Sequence, residues 1–237
     1  MAIRENIPEY MKELKAWMAE TADCELEEMS AFFTKRLDGY EAHMAVWEKA
    51  YQRFAELLPE WCGEILDLGC GTGLELREIW KRNPGVSVTG VDLCRAMLER
   101  LKEQYGDKPF CAVCEDYFQY EMGEERWDGV ISFESLHHFL PEKKQELYTK
   151  VYKGLRTGGV FLIGDYIACC PEEEEILRDL YLEKMKKSSR EIKEGAYVHF
   201  DIPLTLEHET EILEKAGFSN VTVVDNIEAT LLMAQKQ

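Results

Sequence analysis

The sequence predicts a doubly wound α/β fold: a seven-stranded, mostly parallel sheet with a final antiparallel strand, behind a helical segment at residues 1–60. Three observations carry that expectation. From Glu64 onward, short apolar runs alternate with stretches of helical periodicity, the pattern of parallel strands joined by right-handed crossovers. Successive runs end at or beside an aspartate, at Asp92, Asp116 and Asp165. Two last apolar runs lie so close together in the chain that they must pair antiparallel.

The elements follow in order. Over residues 1–60, Tyr10, Met11, Leu14, Trp17 and Met18 recur at helical spacing. Phe32, Phe33, Leu37 and Tyr40 continue the period, and Met44, Trp47, Tyr51, Phe54 and Leu58 carry it to Pro59. A stripe this rich in aromatics and methionines reads as packing, which is compatible with a cap over a site. Ile65–Leu68 is the first strand, and a helix opens at Gly73 with Leu74, Leu76, Ile79 and Trp80. Asn83-Pro84-Gly85 turns into Val86–Val91, which ends at Asp92; Met97, Leu98 and Leu101 mark the next helix.

Phe110–Val113 and Asp128–Phe133 are the third and fourth strands, and a helix follows Pro141 through Leu147, Val151 and Leu155. Gly158-Gly159 reads as a turn into Val160–Ile163, a fifth strand ending at Asp165. Pro171 with Glu172–Glu175 is a helix start, since proline suits the first turn and carboxylates suit the positive end of the dipole. Residues 188–204 read as irregular, Leu206–Ala216 as helix stopped by Gly217, and Val221–Val224 and Ala229–Ala234 as the closing strands. The expected organisation is a cap at 1–60 and an α/β domain at 61–237 carrying a lid insertion at 171–204.

Composition narrows the function. The 237 residues are 46% hydrophobic, enough for one full α/β domain plus a modest addition. Net charge is −18, and such a field repels phosphate backbones. Lys184, Lys186, Lys187 and Arg190 form a local basic exception. The balance favours a small-molecule substrate over nucleic acid. No apolar run approaches the roughly 20 residues of a membrane span, and the segment MAIRENIPEYMKE lacks the apolar centre of a secretory signal. With that, eight cysteines read as reduced thiols in a cytoplasmic protein. A homodimer is left open.

EILDLGCGTGLE at 64–75 raises the central question, because Gly69, Gly71 and Gly73 put bare backbone directly after a strand. A P-loop is excluded, since no lysine follows Gly73. The dinucleotide fingerprint G-x-G-x-x-G also fails, because the spacing here is G-x-G-x-G. Asp67 places a negative charge beside the loop, which would repel a pyrophosphate and fits a cationic ligand such as S-adenosylmethionine, with its sulfonium and amino group.

DLGCGTG at 67–73, Asp92, EDYF at 115–118 and ISFESLHHF at 131–139 together resemble the class I S-adenosylmethionine-dependent methyltransferases, over about residues 60–237. The resemblance implies a Rossmann-like sheet with S-adenosylmethionine as methyl donor and S-adenosylhomocysteine as product. It places Gly69, Cys70, Gly71 and Gly73 against the donor's methionine and ribose, and Asp67 near its amino group. Asp92 would accept both ribose hydroxyls, Leu93 and Met97 would flank the adenine, and Asp116 and Tyr117 would meet its amino group and ring. Phe133 and Glu134 would stand where donor meets acceptor, with Tyr40 joining from the N-terminal helices. RLDGYEAHM at 36–44, LHHF at 136–139 and YVHFDIPLT at 197–205, followed by LEKAGF, are similar to a bacterial branch grouped with tRNA wobble-uridine carboxymethoxy-type methyltransferases.

Methyl transfer from a sulfonium is an in-line displacement, so positioning can supply up to roughly 7–11 kcal/mol. A general base adds about 10²–10⁴-fold where the acceptor carries a proton. Base candidates belong at the C-terminal edge of the sheet: His137, His138, Asp165 and Tyr166 after the fourth and fifth strands, His199 and Asp201 from the irregular segment, and His43 from the N-terminal helices. In extended backbone Tyr197, His199 and Asp201 share one side. With His138 or His43 they match a two-histidine, one-carboxylate metal set, and the alternative is that they orient substrate by hydrogen bonds. Whether a metal is used is open from sequence. Cys111 and Cys114 form a C-x-x-C with no second pair to complete a zinc site.

Overall fold

The computed structural model describes residues 6–188, 195–225 and 229–237. Its strands are β1 (Glu64–Leu68), β2 (Ser87–Asp92), β3 (Phe110–Cys114), β4 (Trp127–Phe133), β5 (Leu155–Asp165), β6 (Ser219–Asp225) and β7 (Thr230–Gln235). They form one sheet in the order β3-β2-β1-β4-β5-β7-β6. Only β7 among them runs against its neighbours, pairing antiparallel with both β5 and β6.

Alternate residues go to alternate faces, as the pleat requires. Ile65, Ile131 and Leu162 pack on the side covered by α3 (Glu48–Leu57), α4 (Leu74–Arg82) and α5 (Arg95–Tyr105). Leu66, Val130 and Phe161 pack on the other, against α6 (Pro141–Gly154) and α8 (Leu206–Lys215). Burial on both faces is why these strands read as near-continuous apolar runs.

Two expectations are corrected. The turn expected at Gly158-Gly159 lies inside β5, although Gly158 is left-handed at φ 83°. Pairing with the C-terminus continues through it: Gly158 N–H donates to Lys236 O at 2.9 Å and Lys236 N–H to Gly159 O at 3.0 Å. The glycines therefore make a bulge, seen as a register shift between the Trp127 and Gly129 pairs. The basic cluster is also not a free patch. Lys184 is buried and donates to the carbonyls of Thr21, Ala22 and Cys24 at 2.8, 3.0 and 2.8 Å. Lys187 pairs with Glu183 at 2.8 Å, and Arg190 lies outside the described residues.

The remaining helices, α1 (Ile7–Glu20), α2 (Met29–Met44) and α7 (Pro171–Ser188), gather over the C-terminal edge of the sheet. Met11 and Leu14 of α1 pack on Leu177 of α7. Four backbone bonds then bring distant segments together. Met29 N–H donates to Tyr197 O at 3.0 Å, His199 N–H to Glu27 O at 3.0 Å, Ile202 N–H to His137 O at 2.8 Å and Glu134 N–H to Gly164 O at 2.7 Å. Of the segment expected to be irregular, 195–204 is so apart from a bridge at Val198, and 189–194 lies outside the described residues, as does the 226–228 connection between the closing strands.

Candidate active site

The glycine loop leaves β1 with Gly69, Gly71 and Gly73 all left-handed, at φ 79°, 50° and 76°. At Gly69 the need is doubled: a Cβ there would lie 2.2 Å from Ser135 Oγ. The loop borders a crevice of about 620 Å³ at the C-terminal edge of the sheet. Tyr40, Gly69, Gly71, Asp92, Leu93 and Met97 line it, as do Asp116, Tyr117 and Phe133. Asp92 accepts the N–H of Gly71 at 2.9 Å through Oδ2 and that of Cys94 at 2.7 Å through Oδ1. Asp116 accepts the N–H of Phe118 at 2.8 Å and the hydroxyl of Tyr197 at 3.1 Å. Each carboxylate has lone pairs left for a ligand, since an ionised carboxylate accepts about four hydrogen bonds.

Cys70 and Gly73 border a smaller adjoining cavity with Tyr51 and Glu75, and the Cys70 thiol fills the space above Gly90. Asp67 does not reach the crevice surface. It is fully buried beside Glu75, and neither of its carboxyl oxygens has a hydrogen-bond partner. Burial and then the charge of Glu75 push the Asp67 carboxyl well above the usual range. Burial pushes Glu75 up to about 7. Two unsatisfied buried carboxyls under a loop of bare backbone fit a ligand that brings its own positive charge, as S-adenosylmethionine does.

A second chamber, enclosing about 1550 Å³ and opening to solvent, adjoins the crevice. One face of α2 supplies a wall, with Phe32, Arg36, Tyr40 and His43 at helical spacing and Trp47 just beyond. Facing them are Glu134, His137, His138, Tyr166, His199 and Asp201. Phe33, Tyr40, Glu134 and His138 line both spaces and so mark the junction.

The polar wall is a connected network. His137 Nδ1 lies 2.6 Å from Asp165 Oδ1. Its Nε2 lies 3.5 Å from Asp201 Oδ1, which is also 3.3 Å from His138 Nδ1. Burial opposes charge on His137, but Asp165 and then Asp201 outweigh it and hold the imidazole well above its usual range. Burial likewise raises Asp201, yet His137 and His138 hold it well below. Burial lowers His138, and it lowers His199 to about 3, so both are neutral near pH 7. The His199 ring stacks on Phe32 at 3.5 Å between centroids. Glu134 occupies a left-handed backbone position at φ 49°, and its Oε1 lacks a partner. Burial raises its carboxyl to about 7.

Of the residues expected to act as a base, His43, His138, Tyr166, His199 and Asp201 line the chamber, whereas Asp165 is buried behind His137. Tyr197 departs from His199 and Asp201 by reaching the donor crevice at Asp116. Of the set expected from His199 and Asp201 with His138 or His43, Asp201 and His138 come together, joined by His137: the candidate ligand atoms of these three lie within 4.8 Å of one another. Sequence reasoning gave too little weight to Phe33, Ser135 and Glu75. For Glu75 the signal was available: its first-turn position after the loop puts it directly under the bare backbone.

A family model described as a methyltransferase domain matches residues 65–159. A carboxy-S-adenosyl-L-methionine synthase of Shewanella piezotolerans is 30% identical over 174 residues, covering 68% of this chain and 70% of that protein. The chain belongs to the class I S-adenosylmethionine-dependent methyltransferases. Phosphoethanolamine N-methyltransferase of Plasmodium falciparum is 27% identical over 163 residues, covering 68% of this chain and 56% of that one. Human N-acetylserotonin methyltransferase, solved in complex with its donor, superposes with a TM-score of 0.64 at 20% identity over 89% of this chain and 59% of its own. The family's Rossmann-like sheet and its donor, S-adenosylmethionine, are thus those of this chain, and no described helix is long and apolar enough to cross a membrane.

Proposed function

We propose that this methyltransferase methylates a small molecule held in the chamber beneath α2. The observation that carries the reading is the shared wall: Phe33, Tyr40, Glu134 and His138 border both the donor crevice and the chamber. S-adenosylmethionine supplies an electrophilic methyl on a sulfonium. Asp92 would accept the ribose hydroxyls, and Leu93, Met97 and Asp116 would hold the adenine. Glu75, which lines the smaller cavity beside the loop, would face the ammonium group with Asp67 behind it, and Phe33 and Tyr40 would line the path of transfer. Glu134 stands at the junction with a partnerless oxygen, placed to take the acceptor's proton. His43 and His199, with the α2 aromatics, would orient the acceptor and exclude water. The residues 1–60 and 171–204 then act as cap and lid. Eight free thiols suit the cytoplasm.

The names of the relatives favour a second reading, carboxylation of the donor itself. A carboxylated product would need a cation facing it. The lysine and arginine lining the chamber, Lys35 and Arg36, are both held by Glu27, at 2.5 and 2.8 Å, and the charge on His137 is matched by Asp165 and Asp201. A tRNA acceptor is opposed by the net charge of −18 and by the internal use of Lys184. Incubation with methyl-labelled donor and a fractionated cell extract separates the three. Label in a small-molecule fraction supports the proposal. Label in RNA, or a nucleoside product that has gained a carboxyl group, overturns it. In the same buffer S-adenosylhomocysteine should raise the melting temperature by mass action while NAD does not.

A further inference from the structure

We infer that His137, His138 and Asp201 form a binding site for a divalent transition ion, best suited to zinc, on the wall of the acceptor chamber. The spacing is the first argument. Asp201 Oδ1 stands 3.5 Å from His137 Nε2 and 3.3 Å from His138 Nδ1. Both contacts are long for N–H···O hydrogen bonds, which cluster at about 2.7–3.2 Å. They match the edge of a tetrahedron: ligands about 2.1 Å from a zinc ion stand about 3.4 Å apart.

The second argument is how the ligands are held. His137 Nδ1 is engaged by Asp165 Oδ1 at 2.6 Å, which leaves Nε2 as its free donor and fixes the ring. A carboxylate behind a ligating histidine is the usual outer support of a metal site. Asp165 is itself 1% exposed and does not line the chamber, so its position suits support rather than substrate contact. Asp201 is brought to the pair by the backbone bond from Ile202 N–H to His137 O at 2.8 Å. Its side chain is 44% exposed and faces the chamber.

Two imidazoles and one carboxylate are a donor set that zinc accepts with a fourth position open, once the ion displaces the proton that Asp165 and Asp201 hold on His137. All three ligating residues line the chamber, from which an exchangeable oxygen ligand can reach a bound ion. His138 Nδ1 also lies 3.2 Å from the Phe200 carbonyl, so to ligate an ion through Nδ1 the neutral ring must carry its one proton on Nε2. The site does not depend on which molecule is methylated.

The test is cobalt(II) as a spectroscopic stand-in, added to full-length protein stripped with a chelator and dialysed. One equivalent should bind with intense tetrahedral visible absorption and no sulfur-to-cobalt charge-transfer band. Asp165→Asn should weaken binding about 10–100-fold, and Asp201→Ala by at least as much. Binding of S-adenosylhomocysteine should persist in both variants, which reports that they are folded and keeps this result separate from the methyl-transfer reading. Substoichiometric uptake, binding unchanged in Asp201→Ala, or a thiolate charge-transfer band would overturn the assignment.

Discussion

The donor crevice and the acceptor chamber share four residues but are built differently. The crevice is made by one loop, by strand ends and by the turn after β4, all within Gly69–Phe139 apart from α2 and Tyr197 that cover it. The chamber is made by four segments distant in sequence: α2, the turn after β4, the end of β5 and the 199–201 segment. A site of the first kind is set by local spacing, so it persists among proteins with unrelated acceptors. A site of the second kind is set by which segments the backbone bonds at Met29, His199 and Ile202 draw together, and it is where one family member differs from the next.

That contrast can be broken by variants that touch one side only. Glu134→Gln should have the largest effect, lowering kcat about 10²–10⁴-fold if the acceptor gives up a proton. Donor affinity, read by calorimetry with S-adenosylhomocysteine, should hold within a few-fold. An equal loss in both would mean that Glu134 belongs to the crevice alone. Asp92→Ala should do the converse. Losing two charge-assisted hydrogen bonds, at roughly 1.5 kcal/mol each, predicts about 100-fold weaker binding of S-adenosylhomocysteine.

Glu75→Gln sharpens the comparison through stability. Burial raises the Glu75 carboxyl from 4.5 to about 7, so the folded state binds the proton more tightly than the unfolded chain. Stability is then fully present below pH 4.5 and is lost as pH rises through about 7. Removing the charge should stabilise the donor-free protein at pH 8 by on the order of 2 kcal/mol, while weakening donor binding. Thermal melts at pH 4.5 and pH 8 check it, and a variant no more stable at pH 8 would contradict it. The smallest effect expected is that of His43→Ala, which lines only the chamber. It should raise the acceptor KM a few-fold and leave donor affinity unchanged.

How much was legible in the sequence follows the same division. The strands, their order of appearance and the acids at their ends were readable because alternation and loop spacing are local. Gly158-Gly159 kinks the chain inside β5 rather than ahead of it, because pairing with Lys236, far away in the chain, carries the strand through the kink. The aromatic stripe of α2 read as packing compatible with a cap, and Phe33 does pack on the core, while Phe32, Phe33 and Tyr40 also border cavities. Periodicity identifies an apolar face but not what it faces. Asp165 was readable as a chamber residue only by its strand-end position, and its burial behind His137 depends on a turn conformation no spacing rule encodes. The pairing of His137 and His138 with Asp201 likewise rests on one long-range backbone bond from Ile202.

The most direct test of the central claim, that the two spaces meet at Phe33, Tyr40, Glu134 and His138, is a crystal structure with S-adenosylhomocysteine bound. The account predicts the ribose on Asp92 and the thioether sulfur at that junction, with its open side toward the chamber. A sulfur sealed away from the chamber, or a nucleoside lying elsewhere on the protein, would contradict it.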